Sequence, residues 1–278
     1  MATCYRHPGR ETGVACSNCG RPICPDCMTT SPVGMRCPEC ARQTTKVRTI
    51  RSTPGRRGQE VTLALIAINV IVFLAEGSSA FTLTGDVNVQ ASVFYHGLLY
   101  GPFIEANHQY YRLLTSGFLH VDILHIGLNM YVLYWVGRLL EPAIGRSRFL
   151  AIYFTGLLAG SLGVLIVSPT DVTAGASGAI FGLMGGAFAE AHRRGAIQVR
   201  NQLVLLIAVN LALTLGIAGI SVGAHVGGLI GGGLATIAFQ QGDRMRSAAL
   251  GYVGCLALAV ISVGGSIVVA NHISLMGG

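Results

Sequence analysis

Seven of the eight cysteines lie before residue 41, and with one histidine they fall into pairs: Cys4-x-x-His7, Cys16-x-x-Cys19, Cys24-x-x-Cys27 and Cys37-x-x-Cys40. A two-residue gap lets both side chains of a pair face one tetrahedral ion, so the eight ligands predict two structural zinc sites. An odd number of cysteines, completed by a histidine at ligand spacing, fits metal better than a disulfide framework. The spacing allows sequential pairing, Cys4/His7/Cys16/Cys19 with Cys24/Cys27/Cys37/Cys40. It equally allows an interleaved pairing that joins the first pair to the third and the second to the fourth. Thiolates kept for zinc imply a reducing compartment, which puts this end of the chain in the cytosol.

A second group of polar residues stands in apolar surroundings: His120, Asp122, His125 and Asn129, then Ser177 within Gly175-Ala176-Ser177-Gly178, then His225 within Gly223-Ala224-His225-Val226-Gly227. Such side chains are costly in a bilayer, so each calls for a role. A serine hydroxyl is a poor nucleophile until a base takes its proton, and His225 is the obvious base for Ser177. Acyl transfer also needs donors for a tetrahedral oxyanion, which the Ser177 N–H, the Asn129 amide and the His125 ring can supply. His125 and Asn129, four residues apart, share one helix face. Taken singly, each has a plainer reading: Ser177 as a small packing residue, His225 as a histidine bonded to a carbonyl, Asn129 as an interhelical bond. His120 and His125 could also ligate metal, although no third ligand at clear spacing accompanies them. The common depth of these residues near one end of three helices favours a shared site.

The elements that must hold them are read from composition. Hydrophobic residues make up 51% of the 278 and charged residues 11%, which excludes both an ordinary soluble enzyme and a disordered chain. Apolar runs at Val61–Ala75, Leu119–Val136, Phe149–Val167, Gly178–Ala191, Leu203–Ile220, Val222–Phe239 and Ala248–Ala270 predict seven transmembrane helices, two of them short. The domain plan is therefore a zinc-binding module at 1–41, a basic juxtamembrane linker at 42–60 and a membrane domain at 61–278. The first apolar run follows a complete metal module, so a cleavable signal peptide is not expected. Net charge is +7, but the basic residues sit at the ends of apolar runs, which argues for a lipid bilayer as partner and against nucleic acid. Arg138, Arg146, Arg148, Arg193, Arg194, Arg200, Arg244 and Arg246 all fall in loops on the face of the linker, whereas the other face keeps Arg112. The positive-inside rule then gives a multi-pass protein of the cell membrane, with a cytoplasmic N-terminus and the Ser177 site open to the extracytoplasmic side. Small residues four apart, at Gly178/Gly182/Gly186 and at Gly223/Gly227/Gly231 with Gly228/Gly232, predict that the fourth and sixth membrane helices touch.

Two resemblances follow from these motifs. The order of the cysteine pairs resembles that of B-box type zinc modules, which interleave. From Tyr95 to Gly233 the chain resembles the rhomboid intramembrane serine proteases. The resemblance rests on Tyr111-Arg112-Leu113-Leu114-Thr115, Phe118-Leu119-His120, His125-x-x-x-Asn129-Met130, Gly137-Arg138-Leu139-Leu140-Glu141, Gly175-Ala176-Ser177-Gly178-Ala179-Ile180-Phe181-Gly182 and Gly223-Ala224-His225-Val226-Gly227-Gly228. Tyr111 stands where the family often has Trp. The resemblance implies an all-α polytopic membrane protein with a six-helix core plus one C-terminal transmembrane helix, preceded by the zinc-stabilised module. It further implies a Ser177/His225 dyad, an oxyanion site from His125, Asn129 and the Ser177 amide, no cofactor for catalysis, and transmembrane proteins as substrates. The zinc module lies outside that core and leaves room for a cytosolic partner. The alternative from another class is a non-catalytic rhomboid-like protein that binds and holds membrane clients.

Overall fold

The computed structural model describes residues 2–31, 34–42, 58–76, 92–217 and 219–273. Most of the basic linker expected at 42–60 lies outside the described residues. The chain divides into two compact units, Met1–Gly55 and Arg56–Gly278.

The first unit is built from two small antiparallel hairpins. Strands β1 (Ala2–Thr3) and β2 (Glu11–Thr12) form one, β3 (Thr29–Ser31) and β4 (Gly34–Arg36) the other, and the short helix α1 (Pro38–Arg42) follows. Its interior is cysteine: Cys4, Cys16, Cys24, Cys27, Cys37 and Cys40 are buried around Ile23. So small an apolar core cannot by itself offset the entropy of ordering the chain, which is why cross-linking ligands are needed.

The second unit is helical. Helix α2 (Glu60–Ala75) is followed by three short helices, α3 (Ser92–Gly97), α4 (Gly101–Asn107) and α5 (Arg112–Thr115). Then come α6 (Ile123–Ile144), α7 (Arg146–Val167), α8 (Ser177–Arg193), α9 (Ile197–Gly216), α10 (Val222–Arg244) and α11 (Ala248–Ala270). Among the described residues, five helices (α6, α7, α9, α10 and α11) are long and apolar enough to cross a membrane. The 16 residues of α2 and the 17 of α8 make shorter helices. Large apolar side chains such as Leu124, Leu128, Leu205, Leu256, Val260 and Ile261 point outward and are more than half exposed. Surface of that kind is stable against lipid and not against water.

In lipid the hydrophobic effect does not press helices together, so close backbone packing must do so. At the centre are α7, α8 and α10. A methyl group added to Gly228 or Gly232 on α10 would collide with the carbonyl oxygens of Gly178 and Gly182 on α8. The expected contact of the fourth and sixth membrane helices is therefore made by backbone against backbone. The structure adds α7 as a third partner, since a Cβ on Gly182 would stand 2.8 Å from the Gly156 Cα, and one on Gly223 would collide with the Gly163 carbonyl.

Helix α2 docks on α6 through Glu141, which is fully buried. Its carboxylate accepts from the Val61 N–H at 3.0 Å, the Thr62 N–H at 2.8 Å and the Thr62 hydroxyl at 2.6 Å. A residue on another helix thus caps the first turn of α2, whose own preceding residue, Gln59, makes no side-chain cap. Glu141→Ala should therefore cost about 3 kcal/mol, combining a lost cap with buried donors left unpaired. The check is thermal unfolding in detergent, where a Tm equal to wild type would remove this role.

The segment before α6 is held by Arg112, which is 1% exposed and donates to the Tyr95 and Leu98 carbonyls at 2.9 and 2.7 Å and to Gln109 Oε1 at 2.6 Å. It closes the end of α3. Among the described residues of this unit, Arg146, Arg148, Arg193, Arg194 and Arg244 collect where α2, α7 and α11 begin and α6, α8 and α10 end. There Arg148 clamps Asp243 through two bonds of 2.9 and 2.7 Å, Arg146 pairs with Glu60, and Glu190 receives both Arg193 and Arg194. The first residues of α6, α8 and α10 lie at the opposite end of the bundle.

Candidate active site and metal clusters

His120 and Asp122 stand ahead of the helix that the apolar run beginning at Leu119 predicts. Helix α6 starts at Ile123, and Asp122 is its N-cap, accepting from the His125 N–H at 2.7 Å. An aspartate is a strong N-cap, so the chain turns helical after it. His120 is buried in the connecting segment, where its backbone N–H donates to Glu76, and its ring meets that of His125 edge-on at 5.2 Å. No third His, Cys, Asp or Glu joins these two histidines in a metal-sized cluster among the described residues.

Ser177 is the first residue of α8. The first N–H groups of a helix have no intrahelical partner, and the helix dipole adds positive potential there, so the Ser177 N–H lies in an anion-favouring position. Gly175 comes just before it, with φ at +141° and its N–H bonded to the Ser116 carbonyl at 2.9 Å. A Cβ at Gly175 would stand 3.0 Å from His125 Nε2 and 3.8 Å from Ser177 Oγ. Glycine is needed both for that backbone angle and for that space, since a Cβ there would crowd His125 and approach Ser177. Asn129 lies one turn along α6 on the His125 face. It is buried, and among the described residues its Nδ2 has no hydrogen-bond partner, as is also true of His125 Nδ1.

His225 is in the first turn of α10, which Ser221 caps by accepting from the Ala224 N–H at 3.2 Å. Its ring stacks on Phe181 with centroids 4.1 Å apart and 16° between planes. Phe181 is four residues after Ser177 and so shares its face of α8. The glycine contact between α8 and α10 thereby places the His225 ring against the face of α8 that carries Ser177 and Phe181. On the other side, His225 Nδ1 lies 2.7 Å from Thr214 Oγ1 of α9. Neither Phe181 nor Thr214 stands out in the sequence as a site residue, although the four-residue step from Ser177 to Phe181 is a signal that points at the first.

In the N-terminal unit, the ligand atoms of Cys4, His7, Cys24 and Cys27 lie within 4.8 Å of one another, and so do those of Cys16, Cys19, Cys37 and Cys40. This is the interleaved arrangement. His7 Nδ1 is 3.9, 3.3 and 3.4 Å from Cys4, Cys24 and Cys27 Sγ, and Cys19 Sγ is 3.8 Å from Cys37 Sγ. Metal–sulfur and metal–nitrogen bonds of zinc length around a tetrahedron imply edges of about 3.5 to 3.8 Å, so these residues fit such an ion. Burial works against the Cys4 thiolate, but the N–H groups of Cys24, Arg6 and His7 outweigh it and bring the thiol down to about 6. Burial, together with the neighbouring Cys4 and Cys24, pushes Cys27 up to about 11. Crowded thiolates of one sign need a cation before all can ionise.

Residues 107–242 match the model of the Rhomboid domain. The chain is 35% identical over 164 residues to rhomboid protease GluP of Bacillus subtilis (strain 168), covering 56% of this chain and 31% of that protein. It is 33% identical over 127 residues to RHOMBOID-like protein 4 of Arabidopsis thaliana, covering 44% and 32%. It is 32% identical over 145 residues to the putative rhomboid protease YdcA of Bacillus subtilis (strain 168), covering 51% and 73%. The chain thus spans about a third of the length of the first two relatives and about three quarters of the third. The model match carries α6 to α9 and nearly all of α10, with the Ser177, His225, His125 and Asn129 positions inside it, and with 73% of the YdcA protein covered at 32% identity the chain belongs to the rhomboid family.

Proposed function

We propose that the chain is an intramembrane serine endopeptidase that cleaves the spanning segments of other membrane proteins with a Ser177/His225 dyad. The observation that carries this reading is the convergence at Gly175, where Ser177 Oγ and His125 Nε2 both lie within 4 Å of the place a Cβ on that glycine would occupy, at the unpaired N-terminus of α8.

In the proposed reaction, Ser177 Oγ attacks the scissile carbonyl carbon while His225 takes the hydroxyl proton. The carbonyl oxygen becomes an oxyanion and accepts from the Ser177 N–H, the Asn129 amide and the His125 ring. As the C–N bond breaks, His225 returns the proton to the leaving amine, and an ester remains on Ser177. Water then attacks that ester with His225 again as base, freeing the acid and the serine. These steps use only groups of this chain and water. The unpaired Asn129 Nδ2 supports the oxyanion role, because a buried donor without a partner is costly unless the reaction supplies one. A hydrogen-bonded helix hides its carbonyls, so substrates should unwind near the cut, which weak helix formers there would favour.

The domain plan and orientation belong to the same proposal: an N-terminal module and a basic linker in the cytoplasm, and seven membrane helices with the Ser177 site facing the extracytoplasmic side. Collection of the arginines at the other end of the bundle supports this orientation. The two thiol clusters hold structural zinc, and through such a module a cytosolic partner would reach the protein. Metal analysis of the purified chain should return about two zinc per chain, at four ligands per ion. One zinc, or iron, would overturn the assignment.

The function is tested with protein reconstituted in vesicles beside a model transmembrane substrate and a fluorophosphonate probe. Cleavage within the spanning segment and probe attached at Ser177 are expected. Substrate capture without cleavage, with Ser177 unlabelled, would favour the client-holding alternative.

A further inference from the structure

Of the 20 residues of α9, Leu203 and Thr214 are the buried ones. A polar side chain in that position on a largely lipid-facing helix needs a partner, and Thr214 has two. Its Oγ1 is 2.7 Å from the Asn210 carbonyl oxygen, one turn back on the same helix, and 2.7 Å from His225 Nδ1 on α10. Thr214 is 4% exposed and His225 6%, so water does not compete strongly for either contact.

The direction of these bonds follows from what each atom can do. A carbonyl oxygen only accepts, so the single hydroxyl proton of Thr214 goes to Asn210. Oγ1 then has only lone pairs to offer His225. For the 2.7 Å contact to be a hydrogen bond, Nδ1 must bring the proton, and in a neutral imidazole this leaves Nε2 bare.

Resting on the Ser177/His225 reading above, we propose that Thr214 is a positioning residue for that dyad: from α9 it holds His225 as the Nδ1–H tautomer, so that Nε2 carries the lone pair that accepts the Ser177 proton. Phe181 fixes the plane of the ring by stacking, and Thr214 fixes its rotation within that plane. Without the hydroxyl, Nδ1–H would be a buried unpaired donor. The ring would then populate the other tautomer or the flipped orientation, and neither presents a base to serine. A carboxylate plays the corresponding part where one stands behind a catalytic histidine, holding the tautomer and stabilising the imidazolium. A threonine does the first without placing a charge in the bilayer.

The test is nitrogen NMR of the reconstituted full chain with ¹⁵N-labelled histidine, the His225 signals being identified by their loss in His225→Ala, together with cleavage kinetics on a model transmembrane substrate. The wild type should show His225 as the Nδ1–H tautomer. Thr214→Val keeps the shape and removes the acceptor; it should mix the tautomers and lower kcat by about tenfold or more with KM changed less than about twofold, the signature of a lost transition-state interaction. Thr214→Ser should restore both. An Nε2–H tautomer in wild type overturns the proposal whether or not any variant folds. So does a Thr214→Val protein with wild-type kcat, or a Thr214→Ser protein as impaired as Thr214→Val. An inactive wild type with the Nδ1–H tautomer would instead count against the protease reading alone.

Discussion

Ser177→Ala should reduce cleavage of a reconstituted transmembrane substrate by about 10⁴-fold or more, because groups acting as one nucleophilic unit lose nearly everything when one is removed. The fold should not change. Ser177 opens α8, and alanine fits a first-turn position without altering the glycine contacts that follow it at Gly178 and Gly182. His225→Ala should fall to a similar residual rate, and the double variant to the same rate again, since the second substitution has nothing left to remove. The measurement is single-turnover cleavage with protein in excess, which separates chemistry from product release. A Ser177→Ala protein retaining more than about a tenth of the wild-type rate would falsify the serine mechanism.

Asn129→Ala and His125→Ala should each lower kcat by about a hundredfold, the usual loss for one oxyanion donor, and leave KM nearly unchanged. The physical reason is timing. A tetrahedral oxyanion exists only near the transition state, so its donors act there and contribute little to holding the bound helix. Asn129→Asp is the sharper variant, since it keeps the size, places an acceptor beside a developing negative charge and should lose more than alanine does. Measured effects confined to KM, or wild-type rates in folded variants, would return both residues to interhelical bonding.

How much of this is legible in the sequence depends on the range of the interaction. The four-residue glycine steps on α8 and α10 are local, and they announce the backbone contact between those two helices. The third partner is harder to see, because Gly156, Gly160 and Gly163 on α7 mix steps of four and three and sit in a run rich in leucine. Asp122 before Ile123 is an N-cap signal that an apolar window starting at Leu119 runs over. Glu141 reads as a charge at a helix end, and only the tertiary fold brings it to Thr62, 79 positions away in sequence. Thr214 is likewise silent, since its value lies in the placement of α9 beside α10. The helices α3, α4 and α5, of 6, 7 and 4 residues, are too short to carry a period, and the buried Arg112 that orders them looks in sequence like an interfacial cation. The zinc ligands are legible one by one, yet their pairing is decided by two hairpins whose strands are two and three residues long.

The shortness of α8 makes lipid thickness a variable of the reaction. Its 17 residues rise about 26 Å, against about 33 Å for the 22 of α7 and about 35 Å for the 23 of α10. A hydrocarbon layer is about 30 Å thick. With its arginine-bearing end kept at one interface, α8 ends short of the other, so that Ser177, its first residue, lies deeper than the ends of α7 and α10. Lipid tails at that depth would strand the first N–H groups of the helix, so hydrolysis there requires that water, its second substrate, reach below the interface. A thicker membrane lengthens that path and a thinner one shortens it. The bilayer in which the protein sits would then set how readily water arrives, and with it the lifetime of the acylated serine, without any change in the protein itself.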